Sequence, residues 1–256
     1  MKDAEASMLL TGTINVDVKG AVTAFTIDHQ DKVPSGVVQL VDSTVPQWRF
    51  EPVTRDGQAV AATTTMSMLV VANQPDDTHY RITIKGATFG DSTADDQSVT
   101  GKSMRPPEYP VSAYVSGVSG VAYLVIRINH LGRVADAAVE QVNLRALGSA
   151  RDSDAWRTAF AAAALGVAKR WTFHVPAVAE SDEAKFYSVR VPVDYQFPGE
   201  GTKYGAWSVY IPGPRKEIPW LHLHDMDDWS APDTLVAGGV YQPGKGLHLL
   251  TPLGEG

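Results

Sequence analysis

The residues best equipped for chemistry lie in the run Leu221-His222-Leu223-His224-Asp225-Met226-Asp227-Asp228. In an extended chain His222 and His224 share a face. Asp225, Asp227 or Asp228 could then complete a nitrogen and oxygen donor set for zinc or another transition metal. The same residues also suit an ordinary polar loop or a contact with a neighbouring domain, because a third histidine is missing nearby and His-x-His arises readily by chance. His222, His224 and Asp225 are therefore weak metal candidates, and no cofactor is expected. The other histidines, His29, His79, His130, His174 and His248, are scattered and none sits beside a nucleophile motif. There is no G-x-S-x-G. Gly117-Val118-Ser119-Gly120 lacks the spacing and the following Lys-Ser/Thr of a phosphate loop. The acidic cluster Glu180-Ser181-Asp182-Glu183 reads as a solvated hairpin tip. Paired carboxylates leave no linear signature, but nothing in the pattern calls for catalysis, and a non-enzymatic protein is expected. The alternative is a metal-binding protein or enzyme using the His222/His224 region.

Composition narrows the classes further. The 256 residues carry a formal charge of −7 from 29 acidic and 22 basic side chains, which argues against a general phosphate-backbone binder. With 44% apolar residues the chain can build an ordinary core. Cysteine is absent, which removes disulfides, thiolate nucleophiles and sulfur-ligated metal but leaves the redox compartment open. No run of about 18 apolar residues is present, so no isolated membrane-spanning helix is expected. The opening residues Met1 to Ala6 are polar and carry no secretory h-region. They fit a cytoplasmic protein, or a periplasmic one whose leader has been removed.

The elements that would position these residues follow from periodicity. Ile14, Val16 and Val18 alternate with polar partners over Thr13 to Val18, which predicts a strand. Lys19-Gly20 marks a hairpin, and Val22 to Ile27 its partner. Pro34-Ser35 opens a short helix that ends before Pro46. Gln47-Trp48-Arg49-Phe50 follows, then a turn at Arg55-Asp56-Gly57 and strands over Val60 to Val71 and His79 to Ala87. Gly90 to Pro107 is rich in Asp, Ser, Thr and Gly and reads as a linker. The order then recurs: a strand over Gly120 to Ile128, a turn at Leu131-Gly132-Arg133, a strand over Val134 to Val142, and a helix capped by Ser153 or Asp154 that runs to Ala168. Lys169-Arg170 complements its C-terminal dipole. Trp171-Thr172-Phe173 comes next, and Val189, Val191, Val193, Tyr195 and Phe197 line one face of a last strand. Pro192, on the other face, marks an edge or a bulge.

The fold class expected is α+β: two repeated units, each a small antiparallel sheet covered by a helix, plus an irregular Pro-, Gly- and Trp-rich C-terminal extension. The boundaries are residues 10–90 for the first unit, 91–105 for the linker, 106–198 for the second unit and 199–256 for the extension. Within the extension Tyr204 to Ile211 is a candidate strand, and its tryptophans require apolar surface, so it is expected to pack on a domain. Trp48 with Phe50, and Trp171 with Phe173, occupy equivalent places. They are expected to close each core between helix and sheet.

The second unit resembles the TonB C-terminal domain. The resemblance rests on Pro107-Glu108-Tyr109-Pro110, Gly117 and Gly120, Gly132-Arg133-Val134, Ala161 to Ala164, Lys169-Arg170-Trp171-Thr172-Phe173, Pro176, Val191-Pro192-Val193 and Phe197. Residues 10–90 carry a weaker form of it through Gly20, Val22, Pro46, Trp48-Arg49-Phe50, Pro52 and Gly57. The resemblance implies an envelope protein of a Gram-negative bacterium that takes an extended segment of a partner onto a sheet edge, by β-augmentation. Carried onto this chain, that edge is Val189, Val191, Val193, Tyr195 and Phe197. The sequence departs from the family by its duplication and by the lack of a membrane anchor and of a long Pro/Lys spacer. A classical energy transducer is therefore not expected. A periplasmic interaction module is, with an extended segment of another envelope protein as its partner and no nucleic acid. The alternative is a structural, self-associating protein whose own edges pair.

Overall fold

A strand with one apolar face needs a cover, and twice in this chain the cover is a helix placed between a hairpin and a later strand. The computed structural model describes residues 5–76, 79–90, 98–177, 186–197, 203–221, 231–242, 244 and 246–253. They fall into two compact units. The first draws on Glu5–Thr93, Thr202–Ser208 and Gly244–Gly256, the second on Ala94–Gly201 and Val209–Pro243. The fold is mixed α+β, built from small antiparallel sheets and helices.

In the first unit β1 (Glu5–Val16) and β2 (Val22–Ile27) form the hairpin, and α1 (Ser35–Thr44) follows. A two-by-two ribbon, β3 (Thr54–Arg55) and β4 (Gln58–Ala59), turns at Asp56 and Gly57, both at positive φ, as the Arg55-Asp56-Gly57 signal requires. β5 (Ala62–Asp76) pairs with β1 on the flank opposite β2, and β6 (His79–Phe89) pairs with β5. Met8, Leu10, Ile14 and Val16 of β1 and Met66, Met68 and Val70 of β5 bury one face against Val37 and Val41 of α1 and against Trp48 and Phe50. β1 begins eight residues before the predicted start at Thr13, because the alternation continues back through Leu10 and Met8, both buried. Val18 lies past its end and is exposed.

In the second unit come β7 (Thr100–Ser103), α2 (Val111–Val115), β8 (Gly120–Asn129), β9 (Val134–Leu144), α3 (Ala150–Ala168), β10 (Thr172–His174) and β11 (Phe186–Tyr195). The main sheet has the order β11-β8-β9, and β7 pairs with β10. Ala122, Leu124, Ile126 and Ile128 of β8 meet Phe160, Ala164 and Ala168 of α3, with Trp171 and Phe173 closing the same core. Two expectations change here. The residues read as linker include β7, whose pairing with β10 satisfies backbone groups that a free linker would leave to water. The helix starts at Ala150, not after Ser153 or Asp154. Ser149 is the cap: its Oγ accepts the Asp152 N–H at 3.2 Å and donates to Asp152 Oδ2 at 2.6 Å. Ala150 and Arg151 are good helix formers, so the helix extends one turn back, and Ser153 is buried inside it.

The extension does not act as one segment. Thr202–Ser208 and Gly244–Gly256 belong with the first unit and Val209–Pro243 with the second. Its described residues are mostly irregular, with β12 (Ser208–Tyr210), shorter than the predicted strand, and a tight helical turn at Pro232–Thr234.

Candidate functional site

β11 is an outer strand. It pairs with β8 in unbroken register from Phe186↔Asn129 to Tyr195↔Gly120. Pro192, which has no N–H to give, sits in its middle, as an edge strand permits. The side chains of Val189, Val191, Val193 and Tyr195 all point at α3 and are buried, at most 8% exposed. They hold the strand on its helix; a chain added at the edge would meet backbone, not these side chains. Tyr195 stacks on Phe160 at 4.4 Å and donates to the Phe160 carbonyl at 3.0 Å; burial pushes its phenol pKa up. Phe197 lies just beyond the strand and stacks on Tyr109 at 5.1 Å.

The outer edge of β11 is not bare. The Arg190 N–H donates to the Tyr241 carbonyl at 2.7 Å, and the Tyr241 N–H returns the bond to Arg190 at 2.9 Å. The Gly238 N–H donates to the Pro192 carbonyl at 3.3 Å. Residues 190 and 192 thus aim their backbone groups outward, and by strand parity so does Ser188, whereas Val191 and Val193 aim theirs at β8. On the other side of the sheet the Ile211 and Leu144 backbones exchange two hydrogen bonds of 3.0 Å, so the extension also pairs with β9.

The sheet face away from α3 mixes polar and apolar side chains, and the extension covers it. Glu140 is the extra residue of a bulge in β9, between Gln141↔Tyr123 and Val139↔Leu124. Fully buried, it binds the Arg190 guanidinium in a two-pronged pair, Oε2 to Nε at 2.7 Å and Oε1 to Nη2 at 2.9 Å. Arg215 of the extension adds its Nε to Glu140 Oε1 at 2.7 Å, and the Lys216 N–H donates to the Glu140 carbonyl at 2.7 Å. Burial pushes the Arg190 pKa down to about 10, opposed by the Glu140 charge. Beside them Tyr123 is buried and its phenol pKa is pushed up, first by burial and then by the Asp233 charge. Ile218 packs on Val125 in the same cover.

Trp48, Phe50, Trp171 and Phe173 are all core residues, each no more than 4% exposed. Trp48 and Phe50 meet Phe89 edge to face, and Trp171 donates from Nε1 to the Arg105 carbonyl at 2.8 Å. His222, His224 and Asp225 lie outside the described residues. Among the described residues no group of three His, Asp or Glu side chains is placed to hold a metal ion, and no helix is long and apolar enough to cross a membrane.

Sequence reasoning missed Tyr241, Glu140 and Arg215. A signal for the first existed: Gly238-Gly239 between Val236 and Val240-Tyr241 is a turn followed by strand-forming residues. Glu140 had none, because a bulge puts one residue out of the alternation that periodicity detects.

Over 97 residues, 38% of this chain, the sequence is 32% identical to Protein TonB from two strains of Xanthomonas campestris pv. campestris. The match takes in 37% of that protein, so the chain spans little more than a third of the length of the curated relatives it matches. No family model matches the chain, and no solved structure does. The association with the TonB family is thus a partial and coarse one.

Proposed function

We propose that this protein is a non-enzymatic interaction module of the Gram-negative cell envelope, working in the periplasm, which binds an extended segment of another envelope protein along the outer edge of β11. The observation that carries this reading is the position of β11: among the described residues its strand partner is β8 alone, and the outward backbone groups of Arg190 and Pro192 are engaged by a short irregular segment and not by another strand of the sheet. An outer strand of this kind offers a ladder of donors and acceptors to an added chain. The similarity to Protein TonB supports the same reading.

We further infer that residues 10–90 and 106–198 are diverged copies of one TonB-like domain. In each, a hairpin Asx residue accepts two backbone N–H groups: Asp17 from Lys19 and Ala21, Asn129 from Leu131 and Arg133. Those backbone bonds also hold the Asp17 carboxyl below its usual pKa. In each, the hairpin glycine has positive φ and accepts at 2.8 Å from the second aromatic of Trp-x-Phe, Phe50 N–H to Gly20 and Phe173 N–H to Gly132. A Cβ at either glycine would collide with that aromatic residue's carbonyl, so only glycine fits.

The edge reading is tested with Ser188→Pro, which removes an outward N–H while keeping the β8 ladder. Peptides selected from a random library on the full chain should lose at least about ten-fold in affinity for the folded variant, a change of ~1.4 kcal/mol. Undiminished binding, with unchanged near-ultraviolet circular dichroism, would refute it. Val193→Pro is the wrong probe, because the Val193 N–H faces β8.

A further inference from the structure

The segment 236–242 that covers the β11 edge is built unlike the rest of the sheet. Its ends are fixed. Upstream, Leu235 and Thr234 are buried, and Tyr210 donates to the Asp233 carboxylate. Downstream, Gln242 Oε1 accepts the Val99 N–H at 2.7 Å. The loop is also tied to itself: the Tyr241 hydroxyl accepts the Val236 N–H at 3.1 Å and donates to the Val236 carbonyl at 3.0 Å. Gly239 lies under the Tyr241 ring, where any Cβ would strike the ring's Cε2, Cζ and hydroxyl.

The first three residues are little covered. Val236, Ala237 and Gly238 are exposed, and the Gly238 bond to Pro192 is the longest of the three that reach β11. Pro192 gives the segment no N–H to accept. Gly238 and Val240 line an open groove together with Thr100, Gly101 and Lys102 of β7. In the first unit β5, the first long strand after Trp-x-Phe, is covered on its far side by the eleven-residue strand β6, paired from Met66↔Phe89 onward.

We propose that residues 236–242 form a displaceable strap: they complete the β11 edge in cis and must lift before an extended segment of another chain can add to the sheet. The proposal rests on β11 being the binding edge and adds how access to it is controlled. A strap tethered at both ends competes at high effective concentration. The apparent affinity for an incoming segment is then reduced by the fraction of molecules in which the strap is closed.

The experiment uses the full chain, Gly239→Val to push the Tyr241 ring out of place, and Tyr241→Phe, which keeps the ring and removes only its two bonds to Val236. The probe is a synthetic peptide of residues 236–242 added in trans. The expected result has two parts. The Arg190 amide exchanges at least about ten-fold faster in Gly239→Val than in the wild type, with the β8 amides unchanged. The peptide also binds that variant at least about ten-fold more tightly. Tyr241→Phe moves both readouts in the same direction by less, and it alone decides should Gly239→Val fail to fold. An Arg190 amide equally protected in the wild type and the folded variants overturns the strap and leaves the edge reading standing. A freed Arg190 amide with no gain in peptide binding overturns both.

Discussion

In the first unit the first long strand after Trp-x-Phe, β5, is paired on both flanks, by β1 and by β6. In the second, β11 has β8 on one flank and, on the other, two residues of the extension that bond to Arg190 and Pro192. The two units otherwise use matching parts: an Asx-turn hairpin, a glycine pressed on the second aromatic of Trp-x-Phe, and a helix over the sheet. The difference teaches where to look for function. Aromatic cores and tight turns satisfy the demands of folding and occur in both. For the strand that carries the comparison, a flank met only by a short segment occurs in one, and under the proposal above that flank opens without dismantling a core.

The largest test of the shared parts is to cut the cores. Phe50→Ala and Phe173→Ala should each cost about 3–5 kcal/mol, the range for a buried phenylalanine. Each should act on its own unit: denaturant titration followed by amide signals from both sheets should show loss of the first unit for Phe50→Ala and of the second for Phe173→Ala. Loss of both units from either change would mean that they do not stand as separate cores. Next comes Glu140→Ala, which takes the two-pronged carboxylate away from the buried Arg190 guanidinium and from Arg215. About 3–4 kcal/mol of stability should go from the second unit, the scale for breaking a buried pair from one side. A shift in the urea midpoint worth less than about 1 kcal/mol would mean that Arg190 finds another partner or water.

The buried phenol of Tyr123 gives a pH test. Its folded-state pKa is raised, so the stability it contributes is complete below the unfolded tyrosine value of about 10 and is lost as pH rises from there toward the folded value. Between pH 10 and 11 the second unit should lose up to about 1.4 kcal/mol through this group. Tyr123→Phe should flatten that slope in denaturant titrations. The smallest effect concerns the helices. Ser149→Ala removes the side-chain cap of α3 and should cost about 1 kcal/mol. α1 begins at Ser35, after Pro34, with no side-chain cap to remove, so Ser35→Ala there should change thermal stability by less than about 0.5 kcal/mol.

Much of this was legible in the sequence because it depends on local rules. Alternation at Ile14 and Val16, and at Leu124 and Ile126, located central strands; Gly20 and Gly132 located hairpins; Pro192 announced an outer strand. Ser149 was legible too, but the small residues around it hid the first turn of α3 from a search for large apolar spacing. What could not be read depended on residues far apart in the chain. Nothing near Arg190 says that Tyr241 will bond to it, and nothing near Val139 says that Glu140 will bulge inward to meet Arg190 and Arg215. The extension looked irregular because its order comes from the surface it covers. The candidate edge was therefore found by its strand, while the segment lying along it was not.

Native-state hydrogen exchange on the wild-type chain tests the contrast between the two edges most directly. The Arg190 amide, bonded to Tyr241, should exchange at least about ten-fold faster than the β5 amides bonded to β6, since opening a strap requires less than unpairing a strand. An Arg190 amide as slow as those of β5 would contradict the account and make both edges equally permanent.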